Sequence, residues 1–260
     1  MNNGDGPRIN PVRFLTYCFS QIFEELRLFI LSITWILLPR EKRNLLRCVK
    51  EKGYVVLNDA LTKGEIELIR SDINKNIRPL LSQKDVPGMS RRKGSVRLRR
   101  PEQISAPFLM LSRDFKWILL NFFYTGKFSG PVLMLSFTEK LDGEGIQIFA
   151  DHPHFDSYRH QLKVVIALTD VNEANGPTEF AAISPNYHYP YWKEYYSSWL
   201  TEKKMRRDKT KTISDGYFNK FGPTEKLTMS AGDIAIFDSR HLHRASCLSE
   251  GSRELLWFYF

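Results

Sequence analysis

The sequence predicts a mainly β fold with flanking helices, an antiparallel β roll that carries its helices on one side. Three observations support this. Helical periodicity is confined to the first half of the chain, while strand-like runs dominate from Pro131 onward, broken by turn signals at Asp142-Gly143-Glu144-Gly145 and Asn175-Gly176-Pro177. Early helices followed by late strands argue for segregated layers rather than alternating β-α units. Finally, 260 residues with 42% hydrophobic and 13% aromatic content can bury one large core. One domain over residues 48–260, preceded by an extension over residues 1–47, is the expected organisation.

Taken in order, residues 1–13 are polar, with Gly and Pro, and are expected to be loose at the tip. The run from Phe14 to Pro39 is strongly apolar, but its uncharged part, Leu28 to Leu38, falls short of the roughly 18 to 20 residues a spanning helix needs. Glu24, Glu25 and Arg27 interrupt any longer span, and Pro39-Arg40-Glu41-Lys42-Arg43 is unlike a signal-peptide cleavage site. Two placements remain: a helix packed on the domain or a partner, which is favoured because short apolar runs are usually core, or a helix lying in a membrane interface with Arg40, Lys42 and Arg43 at its rim.

A helix is expected with Thr62 as N-cap, Ile66, Ile69, Ile73 and Ile77 on one face, and Pro79 at its end. Ser90 to Arg100 carries six cations and no acid. This block predicts a solvated loop or a patch for phosphates and anionic head groups; nucleic acid is not expected, since no aromatics interleave with the cations. Residues 107–124 predict a helix on the core through Phe115, Ile118, Leu119 and Phe122. Strands are expected at Pro131 to Thr138, Leu162 to Val171, Ile234 to Asp238 and Arg253 to Phe260. The stretch 184–231, rich in Tyr and Trp and then in Lys and Arg, is either a surface helix covering the roll or a lid over its mouth. His188 within it is expected to be structural.

The chemistry gathers at Asp151-His152-Pro153-His154-Phe155-Asp156 and Arg240-His241-Leu242-His243-Arg244. In an extended strand His154 and Asp156 share a face, about 6 to 7 Å apart along the backbone. A second imidazole from a distant strand would complete two histidines and one carboxylate on one side of an ion, the arrangement suited to non-haem Fe(II). Only His154, not His152, is followed at that spacing by a carboxylate. For the distal imidazole His243 competes with His241. Leu248 to Ser252 reads as a turn, so Arg253 would return beside the metal, where a guanidinium can hold a carboxylate through two parallel hydrogen bonds.

In this order the motifs resemble the phytanoyl-CoA dioxygenase family of Fe(II)/2-oxoglutarate oxygenases: His154-Phe155-Asp156, a strand leading to Asn175-Gly176-Pro177, then Gly232-Asp233 with its strand, His243 and Arg253. The resemblance covers residues 48–260. It implies a double-stranded β-helix, a jelly-roll, cupin-like core. It also implies Fe(II) on His154, Asp156 and His243, with 2-oxoglutarate as co-substrate clamped by Arg253. The family's spacing to Arg253 favours His243 over His241. The implied reaction is hydroxylation of a small-molecule or lipid-like substrate, releasing succinate and carbon dioxide, because halogenating relatives lack the carboxylate that Asp156 provides. Two departures stand out: Pro153 where many relatives have Trp, and Ser184-Pro185-Asn186-Tyr187-His188 where the family has a Gly-Ser-His corner.

The competing class is a non-catalytic or non-oxidative β-roll protein that binds a metal or acts as a scaffold at a membrane surface. Cys18, Cys48 and Cys247 have no disulfide-like spacing and fit a reducing compartment, so a cytoplasmic location is expected. The net charge of +9 and the apolar N-terminal run leave open a peripheral membrane contact and a substrate of anionic character.

Overall fold

The computed structural model describes residues 11–92, 94–140, 152–157, 160–182, 211–212, 218–219 and 223–260. Helix α1 (Pro11–Thr34) runs into a 3-10 turn (Trp35–Leu37) and α2 (Arg40–Lys52); β1 (Tyr54–Leu57) and α3 (Lys63–Asp72) follow, then a π turn (Ile73–Ile77) and a 3-10 turn (Arg78–Ser82). The hairpin β2 (Met89–Arg92) and β3 (Ser95–Arg99) precedes α4 (Ala106–Arg113) and α5 (Phe115–Thr125). The strands β4 (Val132–Glu139), β5 (His154–Phe155), β6 (Leu162–Ala167), β7 (Thr178–Ala181), β8 (Lys211–Thr212), β9 (Thr224–Leu227), β10 (Ile234–Asp238), β11 (His243–Ala245) and β12 (Ser252–Tyr259) complete it.

All strand pairings are antiparallel. The strands form a seven-stranded sheet in the order β1-β10-β6-β12-β4-β3-β2 and a five-stranded sheet in the order β8-β5-β11-β7-β9. From β4 to β12 the chain swings between the two sheets at nearly every step, which is the jelly-roll path of a double-stranded β-helix.

Both faces of the central strands β10, β6, β12 and β4 of the larger sheet are covered, and these strands are therefore apolar almost throughout. On β6, Leu162, Val164 and Ile166 join Leu28, Trp35, Leu46, Ile73, Phe108 and Trp117 of the helical layer, while Val165 and Ala167 face the smaller sheet with Phe180, Leu227 and Phe237. The same two-residue alternation places Leu256 and Phe258 of β12 on the helical side and Leu255 and Trp257 on the inner side. Arg253, Lys163, Ser136, Thr138 and Arg97 fall on the inner side by the same parity.

Local signals settle several elements. Thr62 caps α3 in a capping box: the Glu65 N–H donates to Thr62 Oγ1 at 3.2 Å and the Thr62 N–H donates to Glu65 Oε2 at 2.8 Å. Ile66, Ile69, Ile73 and Ile77 are all buried, as their spacing predicts. α2 ends at Gly53, which is left-handed at φ 88°, and a Cβ there would lie 1.6 Å from Nδ1 of His241. Only glycine fits both the backbone and the ring.

The structure departs from expectation in four places. The helix expected over residues 107–124 is two helices, because Asp114 leaves the helical conformation to cap α5, accepting from Lys116 N at 2.9 Å. α5 is also rotated: it buries Trp117, Asn121 and Tyr124 and leaves Phe115 and Phe122 exposed. The basic block is not a loop but the β2–β3 hairpin, which extends the larger sheet past β4. Within 184–231, β9 is a pairing strand of the smaller sheet and not part of a cover; the aromatic stretch, His188 and the Asp142 to Gly145 turn lie outside the described residues. The first-ligand strand is short, since Asp156 sits just past the end of β5.

Candidate metal centre

The centre forms where two short strands of the smaller sheet meet. β11 pairs with β5 in a register that sets His243 directly opposite His154, and the two rings lie 4.4 Å apart, centroid to centroid. Asp156 is brought back toward them because its N–H donates to Ser239 O at 2.9 Å. Its Oδ2 lies 3.2 Å from His243 Nε2, and its Oδ1 lies 3.9 Å from His154 Nε2. One donor atom from each of the three residues falls within 4.8 Å of the other two, the only such His/Cys/Asp/Glu group among the described residues.

The orientation of the imidazoles tells more than their proximity. Nδ1 of His154 is 2.7 Å from His152 O, and Nδ1 of His243 is 2.7 Å from His241 O. A carbonyl can only accept, so each Nδ1 carries the proton and donates it, which leaves the Nε2 lone pair facing Asp156. Burial, aided by His243, pushes the His154 pKa down to about 3. For Asp156 burial alone would raise the pKa, but Lys163 and His243 outweigh it and hold the carboxyl well below the usual range. Near neutral pH the site thus offers a neutral imidazole at His154 and a carboxylate at Asp156, the protonation states a cation needs.

Lys163 makes an ion pair with Asp156 from the inner face of β6, its ammonium 4.6 Å from the ring of Tyr259 and 5.9 Å from that of Phe237. It was not singled out from the sequence, although one lysine inside Leu162 to Val171 is the signal that could have marked it. His241, the competing imidazole, turns elsewhere: its Nε2–H donates to Ala181 O at 2.8 Å and its ring packs on the Gly53 turn. His152 is exposed and contributes its carbonyl to His154.

Arg253 is the second residue of β12 and is 5% exposed. The register aligns it with Thr138 on β4, and Thr138 with Ser95 on β3, a row across three strands in which the two hydroxyls are 3.4 Å apart. Nε and Nη1 of Arg253 are buried without a hydrogen-bond acceptor among the described residues. Burial, with the neighbouring Arg97, pushes its pKa down to about 10. A buried guanidinium beside the half-buried Arg97 favours an anion between or beside them. A cavity of about 490 Å³ is lined by Arg253, Thr138, Ser95 and Arg78. Arg97 went unrecognised because its segment reads as a solvated loop; nothing local marks Ser95 or Thr138.

The turn from β10 to β11 is held by a buried polar cluster. Asp238 accepts from Tyr124 OH at 2.8 Å, from Arg240 N at 2.9 Å and from Nδ1 of His160. Arg240 reaches Glu25 of α1 at 2.8 Å, and His160 Nε2 lies 3.3 Å from the same carboxylate. The other motif residues brace neighbouring turns. Asn175 Nδ2 donates to Asp170 O at 2.8 Å and to Ser252 O at 3.3 Å, and Asp233 accepts from Asp59 N and Ser230 N, both at 2.8 Å.

The family model for phytanoyl-CoA dioxygenase (PhyH) matches residues 49–255. Among solved structures, the epimerase SnoN in complex with Fe3+, alpha ketoglutarate and a nogalamycin superposes with a TM-score of 0.61 at 16% identity, over 85% of this chain and 83% of that one. HygX from Streptomyces hygroscopicus, with nickel, 2-oxoglutarate and hygromycin B bound, gives 0.57 at 16% identity over 85% and 86% of the two chains. EctD from S. alaskensis with bound Fe gives 0.58 at 14% identity over 83% and 75%. These likenesses support the jelly-roll fold. No curated protein sequence matches the chain.

Proposed function

Because the chain belongs to the phytanoyl-CoA dioxygenase (PhyH) family of 2-oxoglutarate-dependent non-haem iron enzymes, we propose that His154, Asp156 and His243 are the protein ligands of its iron and that Arg253 receives the distal carboxylate of 2-oxoglutarate. The observation that carries the reading is the shared tautomer of the two imidazoles, each Nδ1–H anchored on a backbone carbonyl and each Nε2 turned toward one carboxylate. Three ligands on one side leave the remaining positions for small molecules. The iron, when bound, supplies the activation of dioxygen that couples oxidation of 2-oxoglutarate to oxidation of the substrate.

The chain's own groups prepare that chemistry. Lys163 keeps Asp156 ionised and fixes its rotamer. Arg253, with the Thr138 and Ser95 hydroxyls in its row, holds the far end of the dicarboxylate, and Leu255, Trp257 and Met134 form a dry wall between the sheets. The net reaction is hydroxylation: 2-oxoglutarate, dioxygen and substrate C–H give succinate, carbon dioxide and substrate C–OH, one oxygen atom entering each of the two organic products. We assign residues 48–260 to the catalytic unit and 1–47 to an extension. A small-molecule or lipid-like substrate and a peripheral membrane placement are the finer reading, supported by the exposed apolar side of α1.

The test is anaerobic reconstitution with Fe(II), then addition of oxygen and 2-oxoglutarate. Succinate should form with the native chain and not with His243→Ala. A substrate product heavier by one oxygen supports hydroxylation; a product of unchanged mass would instead indicate isomerisation.

A further inference from the structure

Among the described residues, α1 is covered on the side that carries Leu28 together with Gln21 and Glu24, and is exposed on an apolar side. Leu28 and Trp35 are buried, the Trp35 indole N–H donates to Phe123 O at 2.8 Å, and Arg27 is anchored on Thr125 O, so this side is seated on α5. On the other side eleven large apolar side chains from Val12 to Leu37 are between 52% and 79% exposed. Phe19, Ile22, Leu26, Phe29, Ile33 and Ile36 follow one another in steps of three and four residues, which makes a continuous stripe. α5 itself leaves Phe115 and Phe122 exposed, and both ring-stack edgewise on the exposed Phe128. A monomer in water rarely shows a contiguous apolar patch beyond roughly a few hundred Å².

We propose, building on the peripheral placement above, that this outer face of α1 inserts into the interface of an anionic lipid bilayer. Charge decides between the occupants. Among the described side chains of α1 and its 3-10 turn, the fully exposed ones are apolar apart from Thr16 and Ser20, and the half-exposed Glu25 is already paired with Arg240 of this chain. A helix pairing with a second copy in water flanks its seam with charged residues that set register and partner; here Phe23, Ile30 and Leu37 take one flanking row, and in the other Glu25 is spent on Arg240 of this chain. The cations come immediately afterwards, with Arg40, Lys42 and Arg47 exposed on α2, on a chain of net charge +9. Apolar area for insertion and adjacent cations for attraction are the two signals that interfacial anchoring combines. Insertion lies along the surface, since no described helix is long and apolar enough to cross a membrane and the opposite side of α1 is occupied by the domain. That opposite side also carries Glu25 to Arg240, in the turn before His243, so the docked helix is the one that braces the metal centre.

The full-length, iron-loaded protein should be sedimented with vesicles of phosphatidylcholine alone and of equal parts phosphatidylcholine and phosphatidylglycerol. The native chain should pellet with the mixed vesicles, about tenfold less with phosphatidylcholine alone, and less at high salt because exposed charges are screened over about 10 Å at 0.1 M. Phe19→Ser/Ile22→Ser/Phe29→Ser, which touches only exposed side chains, should lose binding by about tenfold or more while its thermal midpoint and its succinate formation stay unchanged. Native protein left in the supernatant with both vesicle types, or equal pelleting of the triple variant, overturns the proposal. So does light scattering that finds a lipid-free dimer which the triple variant converts to monomer, since a second copy would then cover the face. Absence of succinate from the native chain would instead remove the catalytic assignment and leave the vesicle result standing.

Discussion

His154 and His243 anchor Nδ1 on the carbonyl two residues upstream, whereas His241 donates from Nε2 to Ala181 and lies against Gly53. Replacement should therefore separate them. His154→Ala and His243→Ala are expected to abolish Fe(II) binding by anaerobic calorimetry with the fold retained. His241→Ala is expected to keep iron and lose about 2 to 4 kcal/mol of stability in urea, as a buried ring is removed. Retention of iron by His243→Ala with loss in His241→Ala would exchange their roles. Arg253→Leu should raise the KM for 2-oxoglutarate roughly ten- to hundredfold, the equivalent of about 1.5 to 3 kcal/mol for a charge-assisted pair, with iron affinity little changed. Thr138→Val, which removes one hydroxyl from the same row, should raise it about fivefold, in line with about 1 kcal/mol for a neutral hydrogen bond. An unchanged KM in both variants would move the co-substrate elsewhere.

α1 acts on the centre through one carboxylate. Burial alone would raise the Glu25 pKa, but the hydrogen bond from His160 and the charge of Arg240 lower it from 4.5 to about 2. A depressed folded-state pKa adds stability that is present above the unfolded value of 4.5 and lost as pH falls from there toward 2. Glu25→Gln should accordingly be less stable than the native chain at pH 7, and the gap should close progressively below pH 4.5 in urea titrations. The carboxylate is 41% exposed, so solvent screening keeps the effect well below what the shift alone implies. A gap independent of pH would mean that the Glu25 charge contributes nothing and only its packing matters.

The two sheets are joined at the proposed metal centre by the Lys163–Asp156 pair, with His154 and His243 on the smaller sheet, Asp156 just past β5, and Lys163 and Arg253 on the larger. Ligands that bind only this assembled state stabilise the whole molecule. Saturation with Fe(II) at one hundred times its Kd should add about 2.7 kcal/mol and raise the thermal midpoint by about 5 to 10 °C, reversed by a chelator. No shift on metal addition would mean that the three donor atoms do not converge in solution.

The features legible in the residues alone are local in origin. The capping box at Thr62, the isoleucine stripe, the apolar runs of β4, β6, β10 and β12 and the two-residue step from His154 to Asp156 all follow from periodicities that neighbouring residues set without help from the rest of the chain. With the motif order, this was sufficient to identify the roll and to single out His154, Asp156, His243 and Arg253. Tertiary structure alone decided what depends on register between distant strands: His243 opposite His154, Arg97 and the Ser95–Thr138 row beside Arg253, and Lys163 on Asp156. It also decided which side of an apolar helix is covered. α5 has apolar residues all round, so packing partners rather than spacing turned Trp117 and Tyr124 inward and Phe115 and Phe122 out. On α1 packing covered the side that carries Gln21, Glu24 and Glu25, and the apolar stripe is left exposed among the described residues. Side-chain periodicity states which residues share a face, but which face meets which is fixed only when the elements pack and exclude water.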